Sequence, residues 1–103
     1  MPRRPDRIPT LPPKEALILQ LLAGQKEMYG LELVSASKRR LKRGTVYVTL
    51  GRMEAKGFLI SEQEPAHPAA IGLPRRIYRV TPLGERALRA WETFTRELAP
   101  EKP

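Results

Sequence analysis

The chain has 103 residues, no cysteine and a formal charge of +8, which leaves room for one hydrophobic core and excludes a disulfide framework or a thiolate metal site. No apolar run approaches the ~18 residues of a membrane span, and the charged N-terminus lacks the apolar stretch of a secretory signal, so a cytoplasmic protein with no membrane association is expected. The positive excess lies wholly before residue 81: residues 1–43 carry ten basic and four acidic groups, 44–80 five and three, and 81–103 four and four, which fits a polyanionic partner for the first part and a different task for the last.

Residues 1–13 hold five prolines together with Arg3, Arg4 and Arg7, a composition that forms neither a helix nor a central strand. Two readings stand: a flexible tail, or a basic arm that lies along a phosphate backbone or enters a minor groove. A first helix is expected from Pro12-Pro13, where proline fits the first turn. Ala16, Leu17, Ile18, Leu21 and Leu22 give it a wide apolar face, broad enough for its own core and a second subunit. Gly24 ends it. A short second helix opens at Tyr29-Gly30-Leu31-Glu32 and runs to about Ser37, with Leu33 and Val34 inward. The run Lys38-Arg39-Arg40-Leu41-Lys42-Arg43 then reads either as a solvated face or as a phosphate contact beside the next helix N-terminus.

The stretch 43–60 organises the chain. Val46, Leu50 and Met53 recur at i, i+4, i+7 and form one apolar stripe. Thr45, Thr49, Arg52 and Lys56 recur at i, i+4, i+7, i+11 on another face, and none of them is acidic. Gly57 stops this third helix, and Phe58-Leu59-Ile60 turns at once to strand composition. The stretch alone fits an ordinary amphipathic surface helix or a helix that reads a major groove.

Two strands are expected at Phe58–Gln63 and Arg76–Val80, joined by a long loop over Glu64–Pro74 that carries three prolines and a glycine. His67 stands alone in that loop, and one imidazole without cysteine or a second histidine does not make a metal site. Thr81 and Pro82 open the last helix as cap and first residue. Leu83 is expected against its own domain. Ala87, Trp91, Phe94 and Leu98 follow at spacings of 4, 3 and 4, an a/d seam that either packs onto its own domain or, the favoured reading, forms a homodimer interface. The fold expected is therefore mainly α with a small β-hairpin: a flexible arm at 1–13, a winged helix-turn-helix at 14–81, and a C-terminal dimerisation helix and tail at 82–103.

Four segments in order and register carry a resemblance: Tyr29-Gly30-Leu31-Glu32-Leu33, Gly44-Thr45-Val46-Tyr47, Leu50-Gly51-Arg52-Met53-Glu54-Ala55-Lys56-Gly57, and Arg75-Arg76-Ile77-Tyr78-Arg79-Val80-Thr81-Pro82-Leu83-Gly84. Over about residues 16–90 the chain resembles the PadR-like transcriptional regulators. It departs from their pattern at Val48, where proline is frequent, and in a wing loop without cations before Arg75. The resemblance implies a homodimer that binds operator DNA and usually represses. It puts the third helix in the major groove and the wing on flanking phosphate or minor groove, and exchanges the C-terminal helix between subunits. Some relatives bind flat aromatic compounds at the dimer centre, so Trp91 either lines such an effector pocket or is a plain interface residue.

The expected DNA-binding set is Arg43, Thr45, Tyr47, Thr49, Arg52, Lys56, Arg75 and Arg76. Within it Thr49 and Arg52 read bases while Arg43, Arg75 and Arg76 position the backbone. The function expected is a sequence-specific duplex-binding transcriptional regulator, a homodimeric repressor on a pseudo-palindromic operator. The alternative is a winged-helix protein-interaction module without specific DNA binding. Nothing in the sequence supports an enzyme, and no cofactor is expected.

Overall fold

The computed structural model describes residues 10–64 and 75–100. They form α1 (Pro13–Gln25), β1 (Glu27–Tyr29), α2 (Gly30–Ala36), α3 (Val46–Ala55), β2 (Leu59–Gln63), β3 (Arg76–Val80) and α4 (Pro82–Leu98). The arm at 1–9, the loop residues 65–74 with His67, and the last three residues lie outside the described residues. The end of the expected arm belongs to the fold: Leu11 packs on the core ahead of α1.

The core forms around α1, whose Ala16, Ile18 and Leu19 are fully buried. That helix touches α2, α3, α4 and the sheet, which explains why its apolar face is so broad. The expected stripe of α3 points inward, with Val46, Leu50 and Met53 buried. Phe58, Leu59 and Tyr78 close the core from the sheet side. Burying a side chain such as Phe58 contributes about 1.5–3 kcal/mol over leaving it exposed.

The sheet has three antiparallel strands in the order β1-β3-β2. Tyr78 sits between Met28 on one side and Ser61 on the other. The third strand is the element that sequence reading passes over. Glu27–Tyr29 is too short for alternation to show, and Tyr29-Gly30 reads as the start of a helix. On the outer face Arg79 bridges Glu27 at 3.0 Å and Glu62 at 3.3 Å, tying all three strands with exposed ion pairs of small individual weight.

Helix ends follow the sequence closely, with one substitution of role. α1 runs one residue past Gly24, and Lys26 takes a positive φ there (70°). After α3, Gly57 takes one (φ 85°). Thr81 caps α4, its hydroxyl accepting from the Gly84 N–H at 3.0 Å. Gly84 lies against the Phe58 carbonyl, where a side-chain carbon would overlap the backbone. The seam expected on α4 is divided. Ala87 and Trp91 are partly buried against their own domain, and Leu88, absent from the expected seam, enters the core. Only Phe94 and Leu98 stand out, 62% and 66% exposed. The first half of α4 thus belongs to the winged-helix core.

Candidate nucleic-acid interface

The turn between α2 and α3 is built on two buried groups. Ser37 donates its hydroxyl to the Val34 carbonyl at 2.8 Å and accepts the Leu41 N–H at 2.9 Å. Leu41 inserts into the core beside it. The turn is thereby pinned from inside, while Lys38, Arg39, Arg40, Lys42 and Arg43 all remain exposed. Lys38 and Arg39 are left-handed, with φ of 55° and 72°, a conformation that costs a non-glycine residue about 1–2 kcal/mol.

α3 presents its outer side to solvent at the end of this cationic turn. Thr45 is exposed at the N-cap position and makes no side-chain capping bond. Thr49 is half-buried and returns its hydroxyl to the Thr45 carbonyl at 3.3 Å. Arg52 is exposed in the last turn. Tyr47 leaves the helix on the flank facing α2, and its ring occupies the space that a side chain at Gly30 would fill. Lys56 behaves differently from the other members of the expected polar face. Its Nζ donates to Glu15 at 2.7 Å and to the Thr10 carbonyl at 2.8 Å. The lysine side chain is 23% exposed and the glutamate 5%. A carboxylate buried that deeply needs a counter-charge, and Lys56 supplies it, turned toward α1 and away from the outer side of α3.

The base of the wing places two arginines by separate devices. Arg75 lies over the Tyr29 ring at 4.1 Å and pairs with Glu64 at 3.3 Å. Tyr29 donates its hydroxyl to the same carboxylate at 2.5 Å, and this bond pushes the phenol pKa up. The Glu64 N–H donates to the Arg75 carbonyl at 2.7 Å, closing the hairpin. Arg76 donates Nε to Ser61 at 2.9 Å, and Ser61 donates to Glu54 of α3 at 2.9 Å. Glu54 therefore couples the wing to α3. Burial, with Glu54 adding to it, raises the Tyr78 pKa in the same region. Tyr29, Leu31, Tyr47, Arg75, Arg76 and Tyr78 line a cleft of about 390 Å³ between α2, α3 and the wing.

This arrangement, a helical pair joined by a cationic turn with a β-wing beside the second helix, is shared with known proteins. A family model described as the transcriptional regulator PadR-like family matches residues 18–90. The chain belongs to the PadR-like family. It is 41% identical over 83 residues to the transcriptional regulator Rv3488 of Mycobacterium tuberculosis, covering 74% of each chain. Its structure is similar to a PadR family transcription regulator from Clostridium difficile, at a TM-score of 0.67 and 30% identity, over 81% of this chain and 86% of that one. It is similar also to a PadR-like transcription factor from Bacteroides fragilis, at a TM-score of 0.70 and 26% identity, over 82% of each chain. This PadR-like chain is a winged helix-turn-helix transcriptional regulator, and its family implies regulation through DNA binding.

Of the residues singled out in this PadR-like sequence, Arg43, Thr45, Tyr47 and Arg52 are exposed on the turn and α3, and Arg75 and Arg76 are exposed on the wing. Tyr47, Arg75 and Arg76 share one cleft. Lys56 does not join them. Sequence reading missed Glu15, Tyr29, Glu54, Ser61 and Glu64, each a partner that fixes one of the expected residues or its neighbour. Among the described residues no helix is long and apolar enough to cross a membrane, and no cluster of three or more acidic, histidine or cysteine side chains could hold a metal ion.

Proposed function

We propose that this PadR-like protein is a homodimeric repressor that recognises a pseudo-palindromic duplex operator by inserting α3 into the major groove. One observation carries the reading. Five cations are held on the outside of a turn whose inside is locked by Ser37 and Leu41, and that turn delivers the exposed side of α3. A helix N-terminus flanked by cations favours phosphate, and a major groove admits a helix of this size. Arg43, Arg75 and Arg76 then position the duplex backbone, with Tyr47 beside Arg75 and Arg76 in the wing cleft, while Thr45, Thr49 and Arg52 face base edges. Lys56 is reserved for Glu15.

The dimer is formed through α4. Phe94 and Leu98 carry the contact, Trp91 borders it from its own domain, and Ala87 supports α4 on the core. A small aromatic effector would bind beside Trp91, which lines a groove with Gln20, Glu92, Thr95 and Arg96.

Two variants test the division of roles. Arg52→Ala relaxes sequence preference, at a cost of about 1–3 kcal/mol on the preferred duplex and little on others. Arg75→Ala weakens every duplex alike. Binding titrations on preferred and shuffled duplexes decide between them, and identical behaviour of the two variants on both duplexes would overturn the assignment.

A further inference from the structure

α3 carries an exposed apolar side chain that the roles above leave unused. Val48 is 56% exposed. Falling between the buried residues Val46 and Leu50, it projects opposite the inward stripe at helical period. One turn on, Gly51 faces open space, with nothing within 4 Å of where a side-chain carbon would stand. Ala55 follows on the same side and is exposed. The outermost ridge of α3 is therefore Val48, Gly51, Arg52 and Ala55, at i, i+3, i+4 and i+7. It is small and apolar except for one guanidinium. The row Thr45, Thr49, Arg52 runs along its flank.

A low ridge of this kind suits a close approach to a surface that is charged at its rims and offers an apolar group at its floor. The cations Lys38, Arg39, Arg40, Lys42 and Arg43 precede the ridge, so its partner is a polyanion. In a duplex major groove the apolar group is the 5-methyl of thymine, which small apolar side chains contact. We infer that Val48 packs against the 5-methyl group of a thymine, with Gly51 allowing the helix to sit close to the base edges. Arg52 lies about 6 Å further along the helix axis, at about 1.5 Å rise per residue. That is about two base-pair steps of 3.4 Å, so the thymine lies within about two base pairs of the base that Arg52 reads. The inference rests on the duplex-binding reading and adds a specificity-determining residue to it.

The test removes the methyl group and nothing else. The full chain first enriches a preferred duplex from a random-sequence pool. Each thymine of that duplex is then replaced singly by deoxyuridine. The wild-type protein loses affinity at one thymine position per half-site, by about fourfold for one buried methyl-sized group. Val48→Ala loses affinity for the thymine duplex and shows no further loss on deoxyuridine at that position, while keeping the wild-type response to changes at the Arg52 position. Alanine at an exposed helical site favours the helix, so the variant folds. A preferred duplex on which no deoxyuridine position matters, or a Val48→Ala protein with the full wild-type penalty, overturns the role of Val48 alone. If no duplex is enriched and Val48 instead proves protected in a protein complex, the duplex reading falls and this inference falls with it.

Discussion

Lys56 shows how a residue that looks like a ligand contact can be a structural counter-ion. On a helical projection it belongs with Thr45, Thr49 and Arg52, yet its Nζ is 2.7 Å from a nearly buried carboxylate. Lys56→Ala leaves Glu15 without its partner, so chemical denaturation should show a loss of about 1–3 kcal/mol. Replacing both residues by apolar ones, Glu15→Leu with Lys56→Met, should recover most of that loss, because an ion pair in a core is close to neutral against well-packed hydrophobic residues. Arg52→Ala, fully on the outside, should change stability by less than about 0.5 kcal/mol. Glu64 has the opposite sense at the wing. It neutralises Arg75 at 3.3 Å, so Glu64→Gln should strengthen binding to every duplex and steepen the salt dependence by up to about 0.9 per phosphate gained. An unchanged slope with unchanged affinity would show that Arg75 meets no phosphate.

Among the elements, α4 is attached through close backbone contacts at its first turn. Its first turn presses Gly84 onto the Phe58 carbonyl, and Thr81 holds both the Gly84 N–H and the Gly57 carbonyl. Gly84→Ala should therefore destabilise the fold by about 1–3 kcal/mol through overpacking, read as a lowered denaturation midpoint, with the sequence preference of α3 retained. The stripe Val46, Leu50, Met53, the stop at Gly57 and the cap at Thr81 were all legible in the sequence, because each is a local rule of period or capping. β1 was not, since three residues carry no period. The split of the α4 seam was not legible either. Leu88 lies one residue from Ala87, and the choice between them depends on where α1 sits. At the site, exposure of the cations could be read from their run, but Glu15, Glu54 and Glu64 could not be assigned as partners. Their spacings of 41, 7 and 11 residues from Lys56, Ser61 and Arg75 are set by the tertiary fold.

On the scale of the whole molecule, charge is unevenly divided along the chain. The basic excess ends before residue 81, and residues 81–103 balance four basic against four acidic groups. Two copies of α4 can therefore approach without the repulsion that two copies of the basic region would meet. Phe94→Ala should lower dimer affinity in sedimentation while leaving the denaturation midpoint nearly unchanged. Trp91→Ala should lower both, since its ring also packs on the core. In the proposed dimer the two α3 helices would meet successive major grooves, so enriched duplexes should carry half-sites about 34–36 Å apart. Engagement of duplex DNA by the cationic turn and α3 is best checked by binding measured across salt concentrations. If those cations neutralise phosphates, log K falls linearly with log salt on every duplex, by about 0.9 for each neutralised phosphate, with an added, sequence-dependent gain on the preferred one. A slope indistinguishable from zero on all duplexes tested would contradict it.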